Sequence, residues 1–224
     1  MPRKARFAPP GYWMHIVQRG QAAIFRHDDD RLAYLDLLAG YAADRQVQIF
    51  GYTLMPDHVH LLALGKYPGA LADWMRCLSG HHAQRMHAKL AHRGRFWQHE
   101  RYGSCTVSER HLRSVLRYVE QNAVRAGLVD DAARYPWSSA AHHTGRLKST
   151  GILNHEEFAR RFTPAEWRLA LAYPQSQSEV EAIRLATRLG QPLGPPEFLA
   201  HLEAEFDVVL PRPAITANAK AAHA

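Results

Sequence analysis

An α+β fold carrying a four-stranded antiparallel sheet is predicted by three observations. β-prone runs and apolar-periodic segments alternate as βαββαβα up to about Ala126. The middle runs, Val47 to Leu54 and His58 to Leu64, flank Pro56-Asp57, which is a hairpin signal. Beyond about residue 146 the strand signals stop and helix caps take over.

Each element has its own reason. Tyr12 to Gln18 reads as a first strand that ends at Arg19-Gly20. Asp28-Asp29-Asp30 suits the positive end of a helix dipole, and Leu32, Leu35, Leu38 and Ala39 give that helix an apolar stripe through Tyr41. In the hairpin, alternation sends Val59, Leu61 and Ala63 to one face and His58 and His60 to the other. A second helix is expected from about Ala70 to Ala91 and a fourth strand over Arg101 to Val107. Ser108 then caps a third helix reaching about Ala126, with Leu112, Val115, Leu116, Val119, Ala123 and Ala126 as its apolar stripe. The first six elements follow the ferredoxin-like order βαββαβ, which places two helices on one face of the sheet and leaves the other for the third.

The C-terminal part differs in character. Thr163-Pro164-Ala165-Glu166 predicts a boxed helix start, as does Ser178 to Glu181 before "VEAIRLATRLG", which Gly190 stops. With "GPPEFLAHLEAEF" this gives a helical pair over 179–207 that either resembles a helix-turn-helix or packs on its own domain. The expected organisation is a catalytic-type domain over 1–145, a helical C-terminal extension over 146–210 and a disordered tail over 211–224.

Composition narrows the function. With 46% hydrophobic residues in 224, the chain can bury a core, and it carries no membrane-span or signal-peptide pattern. Cys77 and Cys105 form no CxxC, which argues against disulfides and thiolate zinc clusters and predicts a cytoplasmic, nucleoid-associated protein. A net charge of +7 favours a polyanionic partner, with nucleic acid first among candidates.

Two constellations carry chemistry. His58 and His60 project together from one strand face, which is metal-ligand spacing on a rigid support; the same spacing also fits two ordinary histidines on a solvated face. On the third helix Tyr118, Asn122 and Arg125 share a flank, and the four-residue step stacks a carboxamide above a phenol. An amphipathic border with a half-buried tyrosine fits that pattern equally. Glu120 falls on the opposite flank and is the poorer third ligand.

"MPDHVHLL", then "LRYVEQNAVRAGLV" and "YPWSSA", resemble the single-tyrosine HUH transposases, specifically the REP-associated tyrosine transposase branch. "HIVQRGQAAIF", "GRFWQHERYGS" and "IRLATRLGQPLG" extend the resemblance from about Tyr12 to Gly194. It implies that Tyr118 is the nucleophile, that His58, His60 and Asn122 hold a divalent metal, and that the products are a 5′-phosphotyrosine and a free 3′-hydroxyl. Magnesium or manganese suits such a ligand set, and no nucleotide cofactor is needed. The implied partner is single-stranded or hairpin DNA, typically a REP-type hairpin with a short flank, and the branch favours a monomer over a dimer. Two departures stand out: Ala123 where proline is usual, and Asp57 where asparagine is common.

DNA contacts are expected from Arg19 and Gly20 after the first strand, Arg76 and Arg85 on the second helix, and Arg93, Arg95, Arg101 and Arg125, with Phe96, Trp97 and Tyr102 interleaved. Phe96 and Trp97 also fit as packing groups. A DNA-binding regulator with the same fold and little or no catalysis is the alternative to a strand transferase. An RNA-binding ferredoxin-like domain would leave the His-Val-His pair and Tyr118 unexplained.

Overall fold

The computed structural model of the protein describes residues 7–91, 94–98, 102–148 and 151–211. Strands β1 (Trp13–Arg19), β2 (Val47–Leu54), β3 (His58–Gly65) and β4 (Gly103–Val107) form one antiparallel sheet in the order β2-β3-β1-β4, the ferredoxin-like arrangement. Helices α1 (Asp28–Asp44) and α2 (Ala70–Leu90) pack on the face that carries Ile16, Val59, Leu61 and Ala63. Helix α3 (Glu109–Glu120) covers the other face with Leu112, Val115, Leu116 and Val119, all buried against Phe50, Leu62 and Cys105. Burying such side chains stabilises by about 1.5–3 kcal/mol each, so the sheet is clamped from both sides.

Helix α3 sits close because Gly51 lets it. A Cβ there would lie 2.4 Å from Leu116 Cδ1. Thr53 Oγ1 then donates to the Val119 carbonyl at 2.7 Å, fixing the height of the helix over the sheet.

The chain continues through α4 (Asn122–Arg125), a 3₁₀ turn (Ala132–Arg134), α5 (Ala140–His143), α6 (His155–Ala159), α7 (Pro164–Ala172), α8 (Gln177–Leu189) and α9 (Pro196–Phe206). Helix α8 lies against β4 and α3, and the chain after it pairs with the β4 edge through Leu193 N–H to Thr106 O at 2.7 Å and Ser108 N–H to Leu193 O at 3.0 Å. Helix α9 docks on Tyr12 through Phe198 and Phe206. Both of the last two helices therefore pack on the rest of the chain.

Several sequence expectations are corrected. The third helix is interrupted at Gln121, whose buried amide Nε2 donates to the Leu171 and Tyr173 carbonyls at 3.0 and 2.7 Å. Ala126, past that break, is exposed instead of joining the apolar stripe. The capping box of α8 is Ser176 with Glu179, two residues before the pair read from the sequence, whereas the Thr163–Glu166 box of α7 forms as expected. In α1, Leu32 is 52% exposed and Tyr34 replaces it inside. The cause is Asp30, fully buried because Lys89 Nζ and the Arg26 and His27 amides satisfy it, which turns that edge of the helix inward. All of the expected tail over 211–224 except Pro211 lies outside the described residues. Cys77 and Cys105 are both free, and no helix among the described residues is long and apolar enough to cross a membrane.

Candidate active site

Strand register brings the site together. Val17 pairs with His60 and Arg19 with His58, and paired residues on neighbouring strands share a face. His15, Val17 and Arg19 of β1 therefore stand beside His58 and His60 of β3 under α3. They line a cleft of about 860 Å³ whose other walls come from Tyr118, Asn122 and Arg125 of α3 and α4, and from Arg184, Thr187 and Arg188 of α8.

Both histidines of the His-Val-His pair are held by Nδ1. His58 Nδ1 donates to Asp57 Oδ1 at 2.6 Å, and Asp57 Oδ2 accepts from Arg19 at 2.7 Å. His60 Nδ1 lies 3.1 Å from His15 Nε2. Nε2 is thus the nitrogen each ring has left for a ligand. Burial lowers His58 below the usual imidazole range despite the Asp57 hydrogen bond, lowers His60 well below it, and takes His15 to about 3. All are neutral at neutral pH, the form in which imidazole binds a metal.

Asn122 is oriented with equal definition. Its Nδ2 donates to the Tyr118 and Val119 carbonyls at 2.9 and 3.2 Å. Carbonyls only accept, so the amide nitrogen must face them and Oδ1 must face away. The residues present fit a divalent ion: two imidazole Nε2 atoms and one amide oxygen line the cleft with their far ends already tied, the arrangement that supports metal-ligating side chains. Among the described residues no group of three or more His, Cys, Asp and Glu is arranged to hold a metal ion.

Tyr118 is 4% exposed and stands edge-on to His15 and His60, with ring centroids 5.4 and 5.5 Å away. The Arg125 guanidinium lies 4.3 Å from the Tyr118 ring centroid and donates through Nη2 to the Tyr118 carbonyl. Its Nε and Nη1 are buried without a protein acceptor among the described residues. Burial pulls Arg125 down to about 10, opposed by Tyr118, so it remains a cation beside the phenol.

The remaining expected DNA contacts disperse. Arg19 lines the cleft. Arg76 and Arg85 are exposed on α2, across the sheet, and Arg76 pairs with Asp73. Gly20 is held by its neighbours, its N–H bonding Asp57 O at 2.8 Å and its α-carbon crowded by Ile24. Arg95 borders a separate depression with Arg26 and Phe96. Phe96 and Trp97 pack around His82, and Trp97 donates to Ser79 O. Arg93 and Arg101 lie outside the described residues. Sequence reading missed His15, Thr187, Arg184 and Arg188; the alternation Trp13, His15, Val17, Arg19 was the available signal for the first.

Fold and cleft together define a class: a ferredoxin-like sheet whose central strand sets a His-X-His pair against a tyrosine-bearing helix. The chain belongs to the IS200-like transposase family, whose model matches residues 11–122, a stretch that contains all four strands and ends on Asn122. The ISDra2 transposase TnpA of Deinococcus radiodurans is 32% identical over 91 residues, 38% of this chain and 64% of that protein. The chain thus spans less than two thirds of that relative's length. A solved structure of a REP-associated tyrosine transposase bound to a REP hairpin shares the fold, with a TM-score of 0.55 at 15% identity over 68% of this chain and 90% of that one.

Proposed function

We propose that this protein cleaves and rejoins single-stranded DNA through Tyr118, with His58, His60 and Asn122 holding a divalent ion and Arg125 and Arg19 contacting the DNA. The observation that carries the reading is the convergence, in one cleft, of the phenol, two neutral imidazoles with Nε2 available, an outward-facing amide oxygen and a cation with unpaired N–H groups. A bound Mg²⁺ or Mn²⁺ would supply Lewis-acid polarisation of a phosphate oxygen.

The chain's own residues do the rest. A phenol of pKa about 10 is a weak nucleophile at neutral pH. Arg125, stacked on the ring, stabilises the negative charge that develops on Oη as it attacks. The new bond joins Tyr118 Oη to phosphorus, and the bond from phosphorus to the 3′-oxygen breaks. The phenol proton is balanced by the proton taken up by the released 3′-hydroxyl, and the phosphodiester energy is conserved in the 5′-phosphotyrosine. Attack by a 3′-hydroxyl reverses these steps. The unpaired Arg125 nitrogens suit a backbone phosphate, whose oxygens are strong acceptors. The REP hairpin bound to the structurally similar REP-associated transposase supports a hairpin substrate here, and the unpaired flank follows from the need for a free strand to reach Tyr118.

The test is capture of a labelled hairpin with an unpaired 5′ flank on a denaturing gel. Covalent label should appear with Mn²⁺ or Mg²⁺, vanish with chelator, and fall steeply for a blunt duplex, which cannot thread to Tyr118. Full adduct formation in chelator would remove the metal from the reading, and equal adduct on blunt duplex would remove the single strand.

A further inference from the structure

Helix α8 reaches into the cleft with Thr187, a residue of the "IRLATRLGQPLG" segment to which the sequence reading assigned no role. Thr187 Oγ1 donates to the Ile183 carbonyl at 2.7 Å. A hydroxyl has one proton, so toward its other neighbours Oγ1 only accepts. His15 Nδ1 lies 2.8 Å away, a contact in which either atom could donate, and with the hydroxyl proton held on the Ile183 carbonyl the proton of this bond belongs to His15 Nδ1. The two nitrogens of this buried ring face a hydroxyl and a second imidazole rather than a carboxylate, so a proton on Nδ1 leaves Nε2 as the acceptor. That acceptor lies 3.1 Å from His60 Nδ1, with the two ring planes within 4° of parallel and their centroids 5.4 Å apart. His60 then carries its proton on Nδ1, and its Nε2 presents a bare lone pair.

We propose that His15 and Thr187 are positioning residues that fix the tautomer of His60, making helix α8 a working part of the active site. The proposal rests on the reading of His60 as a metal ligand, and it names what makes that ring competent. Thr187 lies well beyond the matched region, which ends at residue 122. Its placement is built with care. Glu179 Oε1 accepts from Ser114 of α3 at 2.8 Å, tying the start of α8 to the tyrosine helix. Gly103 gives the end of the helix room, since a Cβ there would come within 3.3 Å of the Thr187 carbonyl. Both ends of α8 are thereby referred to elements of the cleft.

Thr187→Val keeps the shape and removes the acceptor. A proton on His15 Nδ1 would then be buried and unpaired, so the ring should move it to Nε2, where it bonds His60 Nδ1. His60 is forced into the opposite tautomer, with its proton where the ion should bind. Nitrogen-15 NMR of the metal-free protein reads this directly: His60 should carry its proton on Nδ1 in the natural chain and in Thr187→Ser, and on Nε2 in Thr187→Val. Mn²⁺ binding should weaken about 10- to 100-fold in Thr187→Val, the range for loss of an outer-shell partner, and be retained in Thr187→Ser. A proton on His60 Nε2 in the unsubstituted protein overturns the proposal without any variant, as does an unchanged tautomer in Thr187→Val. If the tautomer switches as expected while neither protein binds Mn²⁺, the proposal stands and the metal reading fails.

Discussion

On one flank of α3, Glu120 is fully buried and its oxygens are committed: Oε1 to Ser139 at 2.5 Å and His143 at 2.6 Å, Oε2 to Trp167 at 2.7 Å. On the other flank Tyr118 and Asn122 are buried and Arg125 is half-buried, yet Asn122 and Arg125 are tied to the Tyr118 carbonyl at one end only, and all three line the cleft. The first flank joins α3 to α5 and α7; the second faces a cleft. Burial of polar groups is common to both, so burial alone does not mark function. What separates them is hydrogen-bonding capacity left over after the protein has satisfied itself, which is what a substrate or ion needs.

The sharpest break of this comparison is Tyr118→Phe. One oxygen is removed from the open flank, so the covalent DNA adduct should disappear entirely, while the melting temperature stays close to that of the parent. Persistent adduct on a denaturing gel would move the nucleophile elsewhere, with Tyr102, another residue of the cleft, next to test.

Glu120→Ala should do the reverse. Three donors lose their acceptor inside the core, at a cost of about 1–3 kcal/mol for each buried group left unsatisfied. Urea unfolding would read the loss, and adduct yield per folded molecule should change only a few-fold. A variant as stable as the parent would mean the cluster does not hold α3 down.

A buried imidazole away from the cleft sharpens the comparison further. His82 lies in the α1–α2 layer, its Nε2 on the Ile24 carbonyl, and burial takes it down to about 4 although that bond and Asp30 oppose the shift. Below the unfolded value near 6.5 the unfolded chain takes up a proton that the folded one refuses, so stability falls between pH 6.5 and 4. The loss from pH 7 to pH 5 attributable to this ring is about 2 kcal/mol. Urea unfolding of His82→Gln at both pH values should show a correspondingly smaller loss; equal losses would place the effect elsewhere.

These contrasts also explain what the sequence could disclose. Alternation put His58 and His60 on one face and Val59, Leu61 and Ala63 on the other, because a strand's parity is local information. The four-residue step did the same for Tyr118 and Asn122. His15 escaped because its relation to His60 depends on β1–β3 register, which no local pattern reveals. Thr187 escaped more completely, meeting His15 from 172 residues away. The basic strip of α2 is a different case: Arg76 and Arg85 are exposed but lie across the sheet from the cleft, Lys89 pairs with the buried Asp30, and His82 is buried on the Ile24 carbonyl, a division that helix spacing alone does not reveal.

The smallest expected effect tests whether the open flank is tuned by charge or by geometry. Asp57 stands where the resembling sequences commonly carry asparagine. Burial would raise its carboxyl, but the hydrogen bond from His58, with Arg19 beside it, outweighs that and lowers it, so it is ionised at neutral pH. Asparagine would keep an acceptor for His58 Nδ1 and give up the exposed contact with Arg19, an ion pair of a kind contributing about 0–1 kcal/mol. Asp57→Asn should therefore leave folding unchanged and weaken Mn²⁺ binding less than about 10-fold, whereas Asp57→Ala, which strands the His58 proton, should weaken it about 10- to 100-fold. Titration of free Mn²⁺ by electron paramagnetic resonance distinguishes the two. If both variants lose affinity equally, the carboxylate acts through its charge, and an oriented acceptor on His58 is not what readies the ring.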